Sequence, residues 1–213
     1  MAGAAEPSAD CQLCPRLAAF RRDNREAYPG FHNAPVPSFG ETTARLLIVG
    51  LAPGLQGANR TGRPFTGDYA GELLYKTLLE FGFASGTFKA DPNDGLTLVD
   101  CMITNAVRCV PPQNKPTGEE AVTCRRFFTG QMAALPNLKV IVALGKIAHD
   151  AVLSARAERK VSCPFRHGNE HAFADGRVLI DSYHCSRYNT NTRVLTEPMF
   201  RAVFTKVRHR LEA

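Results

Sequence analysis

The chain contains 213 residues, 44% of them hydrophobic, and its 26 Lys and Arg against 20 Asp and Glu give a formal net charge of +6. This length predicts a single α/β domain over residues 1–213, and the lack of any apolar run of about 18 residues excludes a membrane-spanning helix. The positive charge favours a polyanionic partner, with nucleic acid first.

The N-terminal segment, residues 1–43, carries the first two cysteines of a candidate ligand set. Its first seven residues lack the basic start and apolar core of a signal peptide, which predicts a cytoplasmic protein. Because the cytosol keeps thiols reduced, the seven cysteines favour ligation over disulfides. Cys11, Cys14, Cys109 and Cys124 suit either a tetrahedral Zn²⁺ or an iron–sulfur cluster, and buried core thiols at the last two positions are the alternative.

A glycine-rich polar loop follows the first predicted strand. Residues 29–43 are rich in Pro, Gly and Asn and predict irregular structure, whereas Leu46–Leu51 is a short apolar run typical of a strand buried on both faces. Gly50–Asp68 contains five glycines and two prolines, so we expect neither helix nor strand within it. It matches neither nucleotide-phosphate glycine pattern, and such a turn either binds a ligand or binds nothing.

The remaining chain alternates strands with helices. The predicted elements are a helix over 70–81, a strand over 99–104, a helix over 118–135 opened by a capping box at Thr117–Glu120, a strand over 139–144, a helix over 146–157, a strand over 177–183, a polar loop over 185–192 and a helix over 197–211. This alternation predicts a three-layer α/β/α fold around a central four-stranded parallel sheet.

Four positions fall at the carboxyl ends of these strands, namely Gly50, Asn105, Gly145 and His184. Because parallel strands end at the same edge of a sheet, we expect the Gly50 loop, Asn105 and His184 to converge on one cleft. Basic side chains in loops beside those ends, Arg60 and Arg63 above all, are candidates for phosphate contacts, with a solvated surface as the alternative.

Three of the candidate side chains have specific chemistry. A neutral His184 would hydrogen-bond an oxygen on which negative charge develops, although a lone histidine is more often structural. Asn105 offers the donor and acceptor that match a nucleobase amide edge, unless neighbouring loop backbone satisfies it. Phe65 is either core or a platform on which a flat ring stacks.

Three motifs together resemble the uracil-DNA glycosylases that carry an iron–sulfur cluster, and within them the type b, or family 5, enzymes. Gly50–Asp68 resembles the first motif of that family. Ile103–Pro112 resembles its uracil-recognising strand with a cluster cysteine, and Ser182–Arg187 resembles its histidine-bearing second motif. The resemblance runs from Cys11 to the end of the chain.

The resemblance implies a role for each matching residue. It implies [4Fe-4S] ligation by the four cysteines named above. It implies that Phe65 stacks on the flipped base, that Asn105 reads the uracil edge and that His184 stabilises the departing base. Gly50 and Leu51 would line the base pocket, and the loop with Ser186, Arg187 and Asn189 would enter the DNA groove.

Two departures stand out within these motifs. Other branches of the family have an acidic or amide side chain that acts on water in the first motif, where this chain has Leu51 and Ala52. Asp68 is then the nearest carboxylate to orient water, although capping the following helix is an equally good use. Members commonly have Pro after the histidine, and Cys185 in its place predicts a looser groove-entering loop.

The sequence therefore predicts a monomeric, monofunctional glycosylase that acts on uracil in double- and single-stranded DNA and leaves an abasic site. The resemblance makes hypoxanthine and ethenocytosine further expected substrates. Two alternatives remain open: a non-catalytic iron–sulfur protein that binds or senses DNA, and a small-molecule nucleotide-binding enzyme.

Overall fold

The computed structural model describes residues 6–212 and contains eight strands and seven α-helices in that part of the chain. The strands are β1 Phe39–Gly40, β2 Leu46–Gly50, β3 Ala84–Ser85, β4 Thr97–Leu98, β5 Cys101–Asn105, β6 Val140–Leu144, β7 Glu170–Ala172 and β8 Val178–Ser182. The helices are α1 Pro15–Ala27, α2 Ala58–Thr61, α3 Tyr69–Glu80, α4 Gly118–Ala133, α5 Lys146–Ala155, α6 Arg187–Asn191 and α7 Glu197–Glu212. None of these helices is long and apolar enough to cross a bilayer.

The main sheet has the strand order β1-β5-β2-β6-β8-β7. Its four central strands are parallel, and every residue in them is buried, which explains their mostly apolar sequences. The predicted four-stranded parallel sheet is thus confirmed. Antiparallel strands β1 and β7 extend it at the two edges, where two or three residues without an apolar pattern gave no sequence signal.

Alternate residues of the central strands face two separate helical layers. On one face, Leu46 and Ile48 of β2 pack in the same cluster as residues of α3 and α7. On the other face, Leu47 and Val49 pack with residues of α4 and α5. Because successive side chains of a strand point to opposite faces, one short apolar strand supplies both cores, and the three-layer prediction is confirmed.

One strand begins and one helix ends at positions other than those predicted, close to residues with left-handed backbone angles. The second central strand starts at Cys101 rather than 99 because Asp100, with φ of 54°, interrupts it and bonds the side chain of Arg45 at 2.7 Å. Helix α5 stops at Ala155, before Ala157 with φ of 57°. Non-glycine residues adopt such angles rarely, so sequence periodicity does not reveal these ends.

Three helices form in segments for which the sequence predicted no helix. The Gly50–Asp68 loop, predicted to hold no helix, contains the single turn α2. The polar loop over 185–192 contains α6, and α1 follows the first cysteine pair with Pro15 at its start. Helices of four or five residues are unstable in isolation, so their formation depends on tertiary contacts that the local sequence does not show.

The N-terminus of α4 is closed by the predicted capping box. The Thr117 hydroxyl accepts from the Glu120 amide at 3.2 Å, and the Glu120 carboxylate accepts from the Thr117 amide at 2.8 Å. That carboxylate also takes two hydrogen bonds from Arg16 of α1, each 2.8 Å long. The cap therefore joins α4 to the N-terminal segment.

We expect Thr117→Ala to lower the free energy of unfolding by about 1 kcal/mol, because the amides at the start of α4 lose their acceptor. Urea unfolding followed by circular dichroism measures the change. The matched control is Thr129→Ala, an exposed position inside the same helix, where alanine is the better helix former and stability is kept or slightly raised. Equal losses in the two variants would contradict the capping role.

Candidate functional site

A cleft of about 440 Å³ opens at the carboxyl edge of the parallel strands. Residues of all the predicted segments line it, including Leu51, Phe65, Asp68, Asn105, His184 and Arg187. Sheet topology produces this convergence, because β2, β5 and β8 end at the same edge. Gly145 lies outside this cleft and lines a neighbouring groove instead.

Gly50 allows the cleft walls to approach closely. It pairs with Asn105 across β2 and β5, and a β-carbon on it would overlap Asn105 Oδ1 and lie 2.7 Å from Phe65 Cζ. Phe65 is 7% exposed and forms part of the core, yet its ring also faces the cleft, with its centroid 6.1 Å from that of His184. The two uses that the sequence left open for Phe65 are therefore compatible.

The amide of Asn105 lies at the floor of the cleft. It is 3% exposed, and within residues 6–212 its side chain makes no hydrogen bond at normal distances. The alternative in which loop backbone satisfies this amide does not hold. A buried amide with both its donor and its acceptor available is suited to a ligand with a complementary amide edge.

His184 lines the same cleft as this amide and is partly buried. Burial lowers the pKa of the imidazole below its ordinary value of 6.5, and the negative charge of Asp68 opposes that shift. The ring is therefore neutral at pH 7 and able to donate a hydrogen bond without carrying a formal charge.

Asp68 performs the predicted helix-capping role and still reaches the cleft. Its Oδ1 accepts from the Gly71 amide at 3.2 Å at the start of α3. Its Oδ2 points to Gly54 and Gly57, where a β-carbon on Gly57 would come within 2.7 Å of it. One carboxylate oxygen is thus used to cap α3, and Asp68 also lines the cleft.

The segment after His184 is anchored by several of its own side chains. Cys185 is fully buried, and its thiol donates to the carbonyl of Ala70 at 3.4 Å, while the looser loop expected from the missing Pro stays a prediction. Ser186 caps α6 by accepting from the Asn189 amide at 3.3 Å, and the Asn189 side chain donates to the His184 carbonyl at 2.8 Å.

The basic candidates separate into exposed and buried groups. Arg60 is exposed, and Arg187 lies at the cleft rim with its guanidinium 5.2 Å from the ring of Tyr69. Arg63 is 4% exposed and forms an ion pair with Asp94, so the prediction that it contacts DNA is wrong. The sequence analysis did not single out Tyr188, which lies between two predicted DNA-contacting residues and is 74% exposed. An aromatic residue in a polar loop was the available signal.

The four predicted ligand cysteines line one narrow pocket between α1, α4 and the segment after β5. Cys11, Cys14, Cys109 and Cys124 share it with Leu17, Ala18, Arg21, Val107 and Phe127, among others. Burial raises the pKa of Cys14 to about 11 and that of Cys109 to about 12, and the neighbouring thiols add to both shifts. Cys14 and Cys109 therefore need a cationic partner to ionise at neutral pH.

Two donors are already directed at these sulfurs. Arg21 is buried, and its Nη1 donates to Cys109 Sγ at 3.6 Å. The backbone amide of Arg108 donates to Cys124 Sγ at 3.4 Å. Hydrogen bonds to sulfur are a feature of sites that hold thiolates around iron, so the surroundings fit a cluster.

A second group of ligand-type side chains was missed from the sequence. His149, His171 and Asp181 place one ligand atom each within 4.8 Å of one another among the described residues. His149 Nδ1 lies 2.6 Å from Asp181 Oδ1, and His171 Nε2 lies 3.0 Å from Oδ2. His149 Nε2 also lies 2.9 Å from the carbonyl of Cys163. These short contacts account for the group as a hydrogen-bond network that ties β8 to β7 and α5.

Comparison with known proteins places these features in a family. Residues 37–208 match the family described as the Uracil DNA glycosylase superfamily. A type-5 uracil-DNA glycosylase of Thermus thermophilus is 46% identical over 203 residues, covering 93% of this chain and 92% of that protein. A type-5 uracil-DNA glycosylase of Pyrobaculum aerophilum is 37% identical, and the match covers 88% of this chain and 83% of that protein. A type-4 uracil-DNA glycosylase of Thermotoga maritima is 33% identical, and the match covers 76% of this chain and 78% of that protein.

We expect the imidazole of His184 to titrate with a midpoint below 6.5, because burial disfavours its charged form. Asp68→Asn should move the midpoint further down, because it removes the charge that favours the imidazolium. NMR titration of the ring protons, assigned with a His184→Gln spectrum, measures both values. A midpoint above 6.5, or an upward shift in Asp68→Asn, would contradict this assignment.

Proposed function

The chain belongs to the uracil DNA glycosylase superfamily, and from this membership we propose that the cleft at the strand ends is where the uracil base is bound and released. The reaction is hydrolysis of the N-glycosidic bond of uracil in DNA, a step of DNA repair. The observation that carries the assignment is the meeting of an unpaired buried amide, an aromatic ring and a neutral imidazole in one cleft.

The three side chains divide the work of recognition and catalysis. Asn105 pairs with the amide edge of uracil, since its own donor and acceptor match that edge. Phe65 stacks on the ring after the base has left the duplex. His184 donates to a carbonyl oxygen of the base as negative charge develops there, and a donor fixed in a partly dry cleft stabilises that charge more than water does.

Water reaches the sugar from the side of Asp68. The apolar side chains of Leu51 and Ala52 do not polarise a water molecule, and Asp68 is the carboxylate among the residues that line the cleft. We assign to it the orientation of the attacking water and the stabilisation of positive charge on the sugar. Of the described residues that line the cleft, none is a lysine, so a Schiff-base lyase step has no nucleophile there.

The surface around the cleft supplies the DNA contacts. Arg187 is an exposed cation that lines the cleft, Arg60 is an exposed cation two positions after the lining residue Ala58, and Ser186 and Asn189 shape the loop that enters the groove. Tyr188 projects from that loop and is the side chain available to fill the space that the flipped base vacates. Such contacts make binding depend strongly on salt.

The cysteine pocket is assigned to a [4Fe-4S] cluster held by Cys11, Cys14, Cys109 and Cys124. Four thiols suit zinc or iron, and the motif resemblance favours the cluster over zinc. When bound, the cluster supplies metal–sulfur bonds that join the start of the chain to α4 and to the segment after β5. Its role is therefore structural, since the pocket is separate from the cleft. Thiolate ligands also fit the reducing cytoplasm.

We expect His184→Ala to lower the single-turnover rate of uracil release about 10²- to 10³-fold, because the leaving base loses its donor. Binding to abasic DNA should be largely kept, since that product lacks the base. Gel separation of alkali-cleaved duplex measures the rate, and fluorescence anisotropy measures binding.

The control for this prediction is His209→Ala, an exposed histidine on α7, which should cleave like the wild type. Intact uracil-DNA after long incubation with the wild type would favour a protein that only binds DNA. Activity on hypoxanthine and ethenocytosine, the proposed further substrates, is tested with the same assay and the same comparison with His184→Ala.

For the cysteine pocket, we expect purified protein to be brown and to contain about four iron atoms per chain. Cys14→Ser should lose iron and visible absorbance because one thiolate ligand is removed. Cys163→Ser, a partly exposed cysteine outside the pocket, should keep both. Elemental analysis and absorbance spectra decide the matter, and zinc without iron would refute the cluster.

A further inference from the structure

A buried ion pair lies under the turn that carries Phe65. Both terminal nitrogens of Arg63 donate to the carboxylate of Asp94, each at 2.8 Å, and the two side chains are 5% and 0% exposed. Neither residue lines the cleft. A bidentate pair of this kind fixes the direction of the guanidinium as well as its position.

The third donor nitrogen of Arg63 completes a set of side-chain hydrogen bonds around Phe65, here called the bracket. Arg63 Nε donates to the hydroxyl of Thr66 at 2.8 Å, so the residues two before and one after Phe65 are joined. The hydroxyl of Tyr75 donates to the carbonyl of Pro64 at 2.7 Å, and that of Thr61 donates to the Thr66 carbonyl at 3.0 Å. Every neighbour of Phe65 in this turn is held by a side chain.

The bracket holds Phe65 in a conformation that it rarely adopts. The φ angle of Phe65 is 52°, in the left-handed region that disfavours bulky side chains. Such a conformation persists only where the surrounding contacts determine it. In this conformation the phenyl ring faces the cleft beside His184.

The ion pair is itself firmly supported. The guanidinium lies 5.3 Å from the ring of Phe39, 5.4 Å from that of Tyr75 and 5.7 Å from that of Phe88. Asp94 also accepts from the amides of Lys89 and Leu96, and the hydrogen bond from Arg63 holds the pKa of this carboxyl well below its usual range. The 89–96 loop, outside the cleft, thus fixes a wall of the cleft.

We infer that Arg63 and Asp94 are positioning residues for the glycosylase reaction, holding Phe65 as a preformed platform on which the target base stacks. The inference rests on the proposed role of Phe65. Without Asp94, the turn would be free to relax to an ordinary conformation, and the ring would leave its place against His184. Stacking would then require reordering of the turn in each binding event.

The test is a double-mutant cycle on single-turnover uracil release. Asp94→Asn is expected to lower the rate about 10- to 100-fold, since a small misplacement of a positioning group has effects of this size. In a Phe65→Ala background, Asp94→Asn should cause no further loss, because it acts through Phe65 alone. Additive losses would overturn the inference, and so would an unchanged rate in the single variant.

Two further variants separate positioning from general stability. Asp100→Asn breaks another ion pair, with Arg45, away from the cleft, and should lower the melting temperature without lowering the rate. Thr66→Val keeps the Arg63–Asp94 pair and removes the hydroxyl that accepts from Arg63 Nε and donates to the carbonyl of Pro64 at 3.3 Å, so it decides the question if Asp94→Asn does not fold. It should lower the rate in the wild-type background and leave that of Phe65→Ala unchanged, and additive losses here would also overturn the inference.

Failure of the inference and failure of the proposed function give different results. If Phe65→Ala releases uracil at the wild-type rate, the platform role itself is wrong. If Phe65→Ala is impaired while the second substitution adds its full effect, the platform stands and only the positioning role of Arg63 and Asp94 is wrong.

Discussion

The missing side chain at Gly50 determines how closely the walls of the cleft approach each other. Strand pairing fixes Gly50 directly beside Asn105, and both belong to central strands that are buried along their whole length. A β-carbon on Gly50 would meet the Asn105 amide and the edge of the Phe65 ring together. Since the sheet is packed on both faces, neither strand has room to shift, and the recognition groups would have to move instead.

The sequence predicted the features that depend on local pattern. Buried strands such as Leu46–Gly50 and the capping box at Thr117 are visible because apolar runs and cap residues are local signals. The position of the cleft followed from topology alone. The edge strands and the turn α2 were not predicted, because two to four residues contain too little pattern and form only through tertiary contacts.

Long-range pairing limited the prediction of the site. In the sequence, Arg63 lies in a polar loop of the kind that contacts DNA. Its partner in the fold, Asp94, lies 31 positions away in an irregular loop. The same holds for His149 and Asp181, which are 32 positions apart and joined only in the fold. Motif resemblance picked out residues that line the cleft, whereas the residues that hold Phe65 in place became visible only in the structure.

The number of basic residues overstates the cations available to DNA. Arg63 pairs with Asp94, Arg16 with Glu120 and Arg45 with Asp100, which leaves the net charge unchanged but engages these three cations within the fold. Arg208 donates to the carbonyl of Phe81 and lies over the ring of Phe83. Exposed cations such as Arg187, which lines the cleft, and Arg60, two positions after the lining residue Ala58, are therefore the proposed DNA contacts.

The arrangement of the cleft favours a reaction driven by departure of the base. Leu51 and Ala52 are apolar, and Asp68 uses one oxygen to cap α3, so little is available to activate water. On the opposite side, a neutral His184 follows a strand tied to β7 and α5 through Asp181, and Phe65 is held by a buried ion pair. Fixed groups lower a barrier most where charge appears and the groups do not have to reorganise. In the proposed mechanism, therefore, stabilisation of the leaving base contributes more than activation of the nucleophile.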